Sequence, residues 1–212
     1  MAAHVIGSPP VNNNCMNYLA HQFLSFDHDA VMVGNFIADT LRGSKTEQFP
    51  EEVRLGIEIH RFIDGFTDTH LLPLATRKLL YRYFGKYAAV VQDIFYDHFL
   101  ALQWDRYHHL PLSDFAEKVY LTVGMHPDAL NARAARVLRY MSTDDWLTGY
   151  ARREGIDRAL KGMASRAKFE SNMERSLPAL DAHFDEMNQH FSTFFPELRM
   201  AVHENFASRI TN

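Results

Sequence analysis

Residues 90–100 read VVQDIFYDHFL, and no other stretch constrains the fold of this chain as tightly. Val90, Val91, Ile94, Phe95, Phe99 and Leu100 recur at helical spacing, so the segment is a helix that needs apolar neighbours. The same helix carries Asp93, Asp97 and His98. An ionised carboxylate buried alone is so costly that such groups are paired, protonated or bound to a metal. The rest of the chain must therefore surround this helix and also compensate its acids.

Nearly every other patterned segment is helical as well. NYLAHQFLS reads as a short helix, and DAVMVGNFIADTLRG opens on an acidic residue and stops at Gly43. PEEVRLGIEIHRFIDGFTDTH begins with Pro50 in its first turn, followed by two glutamates that suit a helix N-terminus. The spacing predicts further helices over 72–84, 87–104, 113–123, 127–141, 143–153 and 156–165. An amphipathic tail over 171–208 should break at Pro178 and Pro196, where the ring removes a backbone donor. No strand-like alternation and no internal repeat occurs, so the expected fold is an all-α, single-domain helical bundle. With 212 residues, 47% of them hydrophobic, the chain can enclose one full core over 16–212. Residues 1–15 are rich in Asn, Pro, Gly and Ala without periodicity and read as a disordered extension.

Composition removes several function classes. No run of 18 uncharged apolar residues and no basic-then-apolar leader appears, which points to a cytoplasmic protein without a membrane partner. The single cysteine, Cys15, cannot form an internal disulfide. A net charge of -4 argues against a nucleic-acid partner. The charge is uneven, however: residues 131–169 hold nine basic side chains against four acidic ones, a window of +5. That window is either an ordinary solvated face or a docking surface for an acidic partner or phosphate. No glycine-rich phosphate loop, nucleophile elbow or paired CxxC is present.

What remains is a set of polar pairs on apolar helices. Side chains four apart share a helix face, and four segments carry such a pair: Asn17 with His21, Asn35 with Asp39, His60 with Asp64, and Asp93 with Asp97, followed directly by His98. Imidazoles and carboxylates converging from several helices are a recurring way to build a metal site inside a bundle. Asp and His together suit Mn²⁺, Mg²⁺, Fe²⁺ or Zn²⁺, with carboxylate-rich sets favouring the harder ions. Arg42, Arg61 and Asp68 on the same segments could bind a phosphate or support the ligands.

The runs MNYLAHQFLS, GNFIADTLRG, FPEEVRLGIEIHRFID, DIFYDHFL, GMASR and LDAHFDEM, in this order, resemble the acyl carrier protein phosphodiesterases from Met16 to about Pro196. The resemblance implies an all-helical fold related to the HD-domain metal phosphohydrolases. It also implies that the substrate is holo acyl carrier protein, an acidic protein, and that the phosphodiester linking 4′-phosphopantetheine to its serine is hydrolysed. A divalent cation is implied, Mn²⁺ first, with Mg²⁺ or Fe²⁺ as substitutes. Asp39 matches the aspartate the family requires, and His60, Asp64, Asp97 and His98 match its other motif positions.

These readings combine into one expected site: Asp39, His60, Asp64, Asp97 and His98 around the metal, Asp93 as ligand or general base, and Arg42 or Arg61 on the phosphate. The Asp97-His98 pair is reversed relative to the His-Asp dyad of HD proteins, so one of the two could be a supporting residue instead. A hydrolase of nucleotides or other small phosphoesters is the alternative within enzymes. A noncatalytic carrier-protein-binding helical protein, using the basic window, is the alternative outside them.

Overall fold

The computed structural model describes residues 17–41 and 46–210. The expected N-terminal extension and Arg42 lie outside the described residues. Among those residues the chain is helical, with no strand. The helices are α1 (Tyr18–Phe23), α2 (Asp29–Ile37, continued by a 3₁₀ turn at Ala38–Thr40), α3 (Glu51–Thr69), α4 (Leu71–Phe84) and α5 (Ala88–Leu102). They are followed by α6 (Leu112–Gly124), α7 (Ala132–Thr143), α8 (Trp146–Gly149), α9 (Arg153–Ala164) and α10 (Ser176–Phe206). The expected all-α bundle is what forms, packed around one continuous core.

The opening stretch is the centre of that core. Every residue of α5 from Val91 to Ala101 is buried, because α1, α4, α9 and α10 surround the helix. Aromatic side chains seal the contact with α10, where Phe191 lies 5.4 Å from Tyr96 and 6.0 Å from Phe99, centroid to centroid. A helix apolar on all sides has no solvent face to choose, so it occupies the middle.

Three local expectations change. Residues 127–141 split in two, since the Asn131 side chain accepts the Arg133 and Ala134 amides and caps a new helix there. The helix expected over 143–153 shrinks to α8, which starts after Asp145 in a left-handed conformation with φ 45°. The tail is not broken at Pro196: α10 runs through it, Pro178 falls in its first turn, and the kink sits at His183 instead. An interior proline costs ~3 kcal/mol. Phe191, Phe194, Phe195, Leu198 and Val202 are buried on either side of it, and each apolar side chain contributes about 1.5–3 kcal/mol. Packing therefore holds the helix through the proline.

The backbones of α2 and α3 cross in very close contact. A Cβ on Gly34 would lie 2.0 Å from the Val53 carbonyl oxygen, and one on Gly56 would lie 2.2 Å from that of Val31. Only glycine permits backbones to approach this way. The crossing sets Asn35, beside Gly34, against His60, one turn after Gly56.

Candidate metal centre

Three of the four polar pairs converge around this crossing. The Asn35 amide organises them. Its Nδ2 donates to the His21 carbonyl at 2.7 Å and to Ser25 Oγ at 3.0 Å, so its Oδ1 is left as an acceptor. That oxygen lies 3.0 Å from Nδ1 of His21 and 2.9 Å from Nδ1 of His60. Each ring therefore places its proton on Nδ1, donating to Asn35, and presents Nε2 as a ligand atom. The two rings stack with centroids 4.0 Å apart.

Both Nε2 atoms meet carboxylates. His60 Nε2 is 3.3 Å from Asp39 Oδ1 and 3.4 Å from Asp64 Oδ2, while His21 Nε2 is 3.2 Å from Asp64 Oδ1. The last contact is close but poorly directed, and His21 Nε2 is a buried nitrogen with no hydrogen-bond partner among the described residues. Lone pairs facing carboxylate oxygens repel unless a proton or a metal cation sits among them. His21, His60 and Asp64 are the group among the described residues whose ligand atoms all lie within 4.8 Å of one another. Donor atoms spaced a little over 3 Å apart are what metal–ligand bonds of about 2.1 Å require. The residues fit a divalent cation, and two imidazoles with one or two carboxylates suit the transition metals and Mn²⁺. The imidazoles are buried while the Asp39 and Asp64 side chains are 14% and 34% exposed, so the cluster opens to solvent on its carboxylate side. Burial alone would disfavour the Asp64 anion, but in the metal-free protein the contact with His21, the charge of His21 and His60 when protonated, and the Arg77 guanidinium hold its carboxyl below the usual range.

The fourth pair does something else. Asp97 is fully buried, and its Oδ2 and Oδ1 accept the backbone N–H groups of Leu19 and Ala20, each at 2.9 Å. These are free amides of the first turn of α1, so Asp97 caps that helix from α5 and in doing so holds His21 in place. Burial pushes the Asp97 carboxyl well up, the two amides oppose it, and neighbouring Asp93 adds to the rise. Consecutive residues on a helix point about 100° apart, and His98 accordingly faces α8, its Nδ1 donating to the Tyr150 carbonyl at 2.6 Å. The structure brings neither Asp97 nor His98 into the His21–His60–Asp64 group. Asp93 is buried on α5, and Arg61, adjacent to His60 in sequence, points outward and is exposed beside Arg54, Glu58 and Arg209.

His98 carries a pH prediction. Burial, reinforced by the Arg153 charge and opposed by the Tyr150 carbonyl, lowers its pKa below the ordinary 6.5. The unfolded chain then binds a proton that the folded one refuses, so this stability is complete above about pH 6.5 and declines as pH falls through the folded value. Urea melts from pH 8 to pH 5 should show the decline, and His98→Gln should flatten it. An identical slope in the variant would remove His98 as the cause.

Sequence reasoning missed two members of this neighbourhood. His21 stood in a four-residue pair but matched no ligand motif. Arg77 carried no signal, because its surroundings are set by tertiary contacts. Its Nη2 lies 2.6 Å from Asp68 Oδ1, and its Nε donates to Gln92 Oε1 at 3.0 Å. Asp68 is one turn beyond Asp64 on α3, and the charge of this half-buried guanidinium reaches Asp64 itself, helping to hold its carboxyl low.

Comparison with known proteins follows the same lines. No solved structure matches the chain, so kinship with the HD-domain hydrolases rests on the sequence resemblance alone. Proteins named acyl carrier protein phosphodiesterase do match. The one from Yersinia pestis is 31% identical over 191 residues, covering 89% of this chain and 99% of its own. That from Klebsiella pneumoniae (strain 342) is 32% identical over 192 residues, covering 90% and 98%. That from Enterobacter sp. (strain 638) is 32% identical over 185 residues, covering 86% and 95%. The family model described as acyl carrier protein phosphodiesterase matches residues 16–198, a span that contains the whole cluster. The chain belongs to the acyl carrier protein phosphodiesterase family.

Proposed function

We propose that this protein hydrolyses the phosphodiester between 4′-phosphopantetheine and the serine of holo acyl carrier protein, releasing apo carrier protein and 4′-phosphopantetheine. The observation that carries the reading is the pair of Nε2 atoms converging on Asp39 and Asp64 in a chain of this family. A divalent cation, Mn²⁺ in our reading, would be held by His21, His60, Asp64 and Asp39, and when bound it supplies Lewis acidity and acidifies water.

The chain's own residues supply the remainder. Asn35 orients both imidazoles. Asp39, on the solvent side of His60, accepts the proton of the attacking water. Arg77 holds an anionic phosphoryl oxygen with donors not spent on Asp68 and Gln92, and Asp97 keeps α1, and with it His21, in register. A cytoplasmic location, where the carrier protein would be met, is part of the same reading; no described helix is long and apolar enough to cross a membrane.

Mass spectrometry of holo carrier protein incubated with the protein and Mn²⁺ tests this, beside a chelated control and an Asp39→Ala variant. The expected result is metal-dependent loss of the whole phosphopantetheine group, abolished by the substitution. Arg77→Gln should lower kcat/KM about 10–100-fold, the worth of one hydrogen bond to a charged group. Cleavage of nucleotides or an aryl phosphodiester with the carrier protein left intact would instead favour a small-phosphoester hydrolase.

A further inference from the structure

The basic window of the sequence becomes a shaped surface in the fold. Residues 131–169 carry +5 in a chain of net -4, so the remaining residues carry -9. The window comprises α7, α8 and α9, and between them lies a groove of about 270 Å³. Trp146 and the exposed Tyr140 line it with aromatic surface, and Arg152, Arg158 and Arg166 project along it.

The ion pairs of this region separate two kinds of cation. Arg153 is bound to Asp181 at 2.6 Å and Lys161 to Asp157 at 2.6 Å. Arg152, Arg158 and Arg166 are exposed, and their side chains make no ion pair or hydrogen bond among the described residues. Three acids also line the groove: Asp145 is engaged by the Tyr120 and Thr148 hydroxyls, while Asp144 and Glu154 are exposed. With no protein partner, the three guanidinium groups beside this aromatic surface keep their donors and charge available to an incoming anionic group. The groove follows α9 from Glu154 to Met163, about 14 Å of helix axis, and ends at Arg166 just beyond that helix, which matches two to three turns of a docked helix.

We infer that this groove is the docking site for an acidic amphipathic helix of the carrier-protein substrate. The inference rests on the proposed function for the identity of the partner. An apolar stripe on the partner would cover Trp146 and Tyr140, and acidic side chains flanking that stripe would meet Arg152, Arg158 and Arg166. Charge complementarity of this kind accelerates encounter and sets orientation, delivering the phosphodiester arm in a fixed direction.

The test combines equilibrium binding of holo carrier protein with turnover, for the wild-type protein and a triple Arg152→Glu, Arg158→Glu, Arg166→Glu variant. All three positions are exposed, and Mn²⁺-dependent cleavage of a small aryl phosphodiester reports whether fold and site survive. The expected result is a rise of about tenfold or more in Kd and in KM for carrier protein, with kcat and small-ester cleavage unchanged. Binding by the wild-type protein should also weaken as salt is raised. Unchanged binding in the variant overturns the docking surface while leaving the hydrolase reading intact. Equal displacement of carrier protein by duplex DNA of matched charge makes the groove a general anion patch and overturns it as well. A wild-type protein that neither binds nor cleaves carrier protein removes both readings. If it binds without cleaving, the Kd of the triple variant alone decides the docking surface.

Discussion

His60→Ala is expected to abolish tight Mn²⁺ binding and to reduce phosphodiester turnover by more than about 100-fold. His60 is the common member of the cluster: its Nε2 faces both Asp39 and Asp64, and its Nδ1 is held by Asn35. Removing it deletes one ligand and frees two carboxylates from their shared partner. Asn35→Ala provides a graded comparison, since it leaves every ligand atom present but releases both rings. Loss of such a supporting partner costs about 10–100-fold in metal affinity, so His60→Ala should exceed that range and Asn35→Ala should fall within it. Calorimetric titration with Mn²⁺, with circular dichroism to confirm the fold, measures both. Wild-type affinity in a folded His60→Ala protein would show that the cation, if any, binds elsewhere.

A large stability effect is expected at the α2–α3 crossing. Gly34→Ala and Gly56→Ala each drive a methyl group into a backbone carbonyl, at 2.0 Å and 2.2 Å, where no side chain can swing aside. The helices must separate, and overpacking of this kind costs about 3 kcal/mol. For a chain of this length that corresponds to a fall of about 6–12 °C in Tm. Activity should fall further than stability, because separating α2 from α3 moves Asn35 away from His60, whose Oδ1–Nδ1 distance is 2.9 Å. Gly65 and Gly162 serve as controls, since a Cβ on either meets nothing within 4 Å. Alanine at either control position should leave Tm unchanged or raise it slightly. Equal melting temperatures for Gly34→Ala and Gly162→Ala would refute the close-crossing argument.

Much of this arrangement was legible before any coordinates. Helical periodicity was strong enough to locate most of the long helices, and the four-residue pairs His60/Asp64 and Asn35/Asp39 were visible as polar interruptions on apolar faces. The surroundings of the buried α5 followed from its lack of a solvent face. Less legible was the tail: Pro196 reads as a breaker from local rules, yet the buried aromatic residues beside it outweigh the lost hydrogen bond. The family resemblance pointed to Asp97 and His98 as ligands, but the structure turns Asp97 toward the amides of α1 and His98 toward Tyr150. In the opposite direction, His21 and Arg77 join the neighbourhood of the cluster without any adjacent motif to announce them.

The sequence by itself determined that the chain is helical and where most of its helices run, which helix is central, and that polar side chains must be compensated inside an apolar bundle. These follow from period and burial cost, both properties of short segments. Only the tertiary structure decided what compensates what. Asp97 is compensated by the free end of another helix, and the imidazoles by an amide and two carboxylates carried on α2, its 3₁₀ extension and α3. Those choices depend on how each helix is rotated about its axis and on one backbone-to-backbone crossing at Gly34 and Gly56. Rotation and crossing distance are set by contacts between residues far apart in the chain, and a periodicity of 3.6 residues carries no information about them.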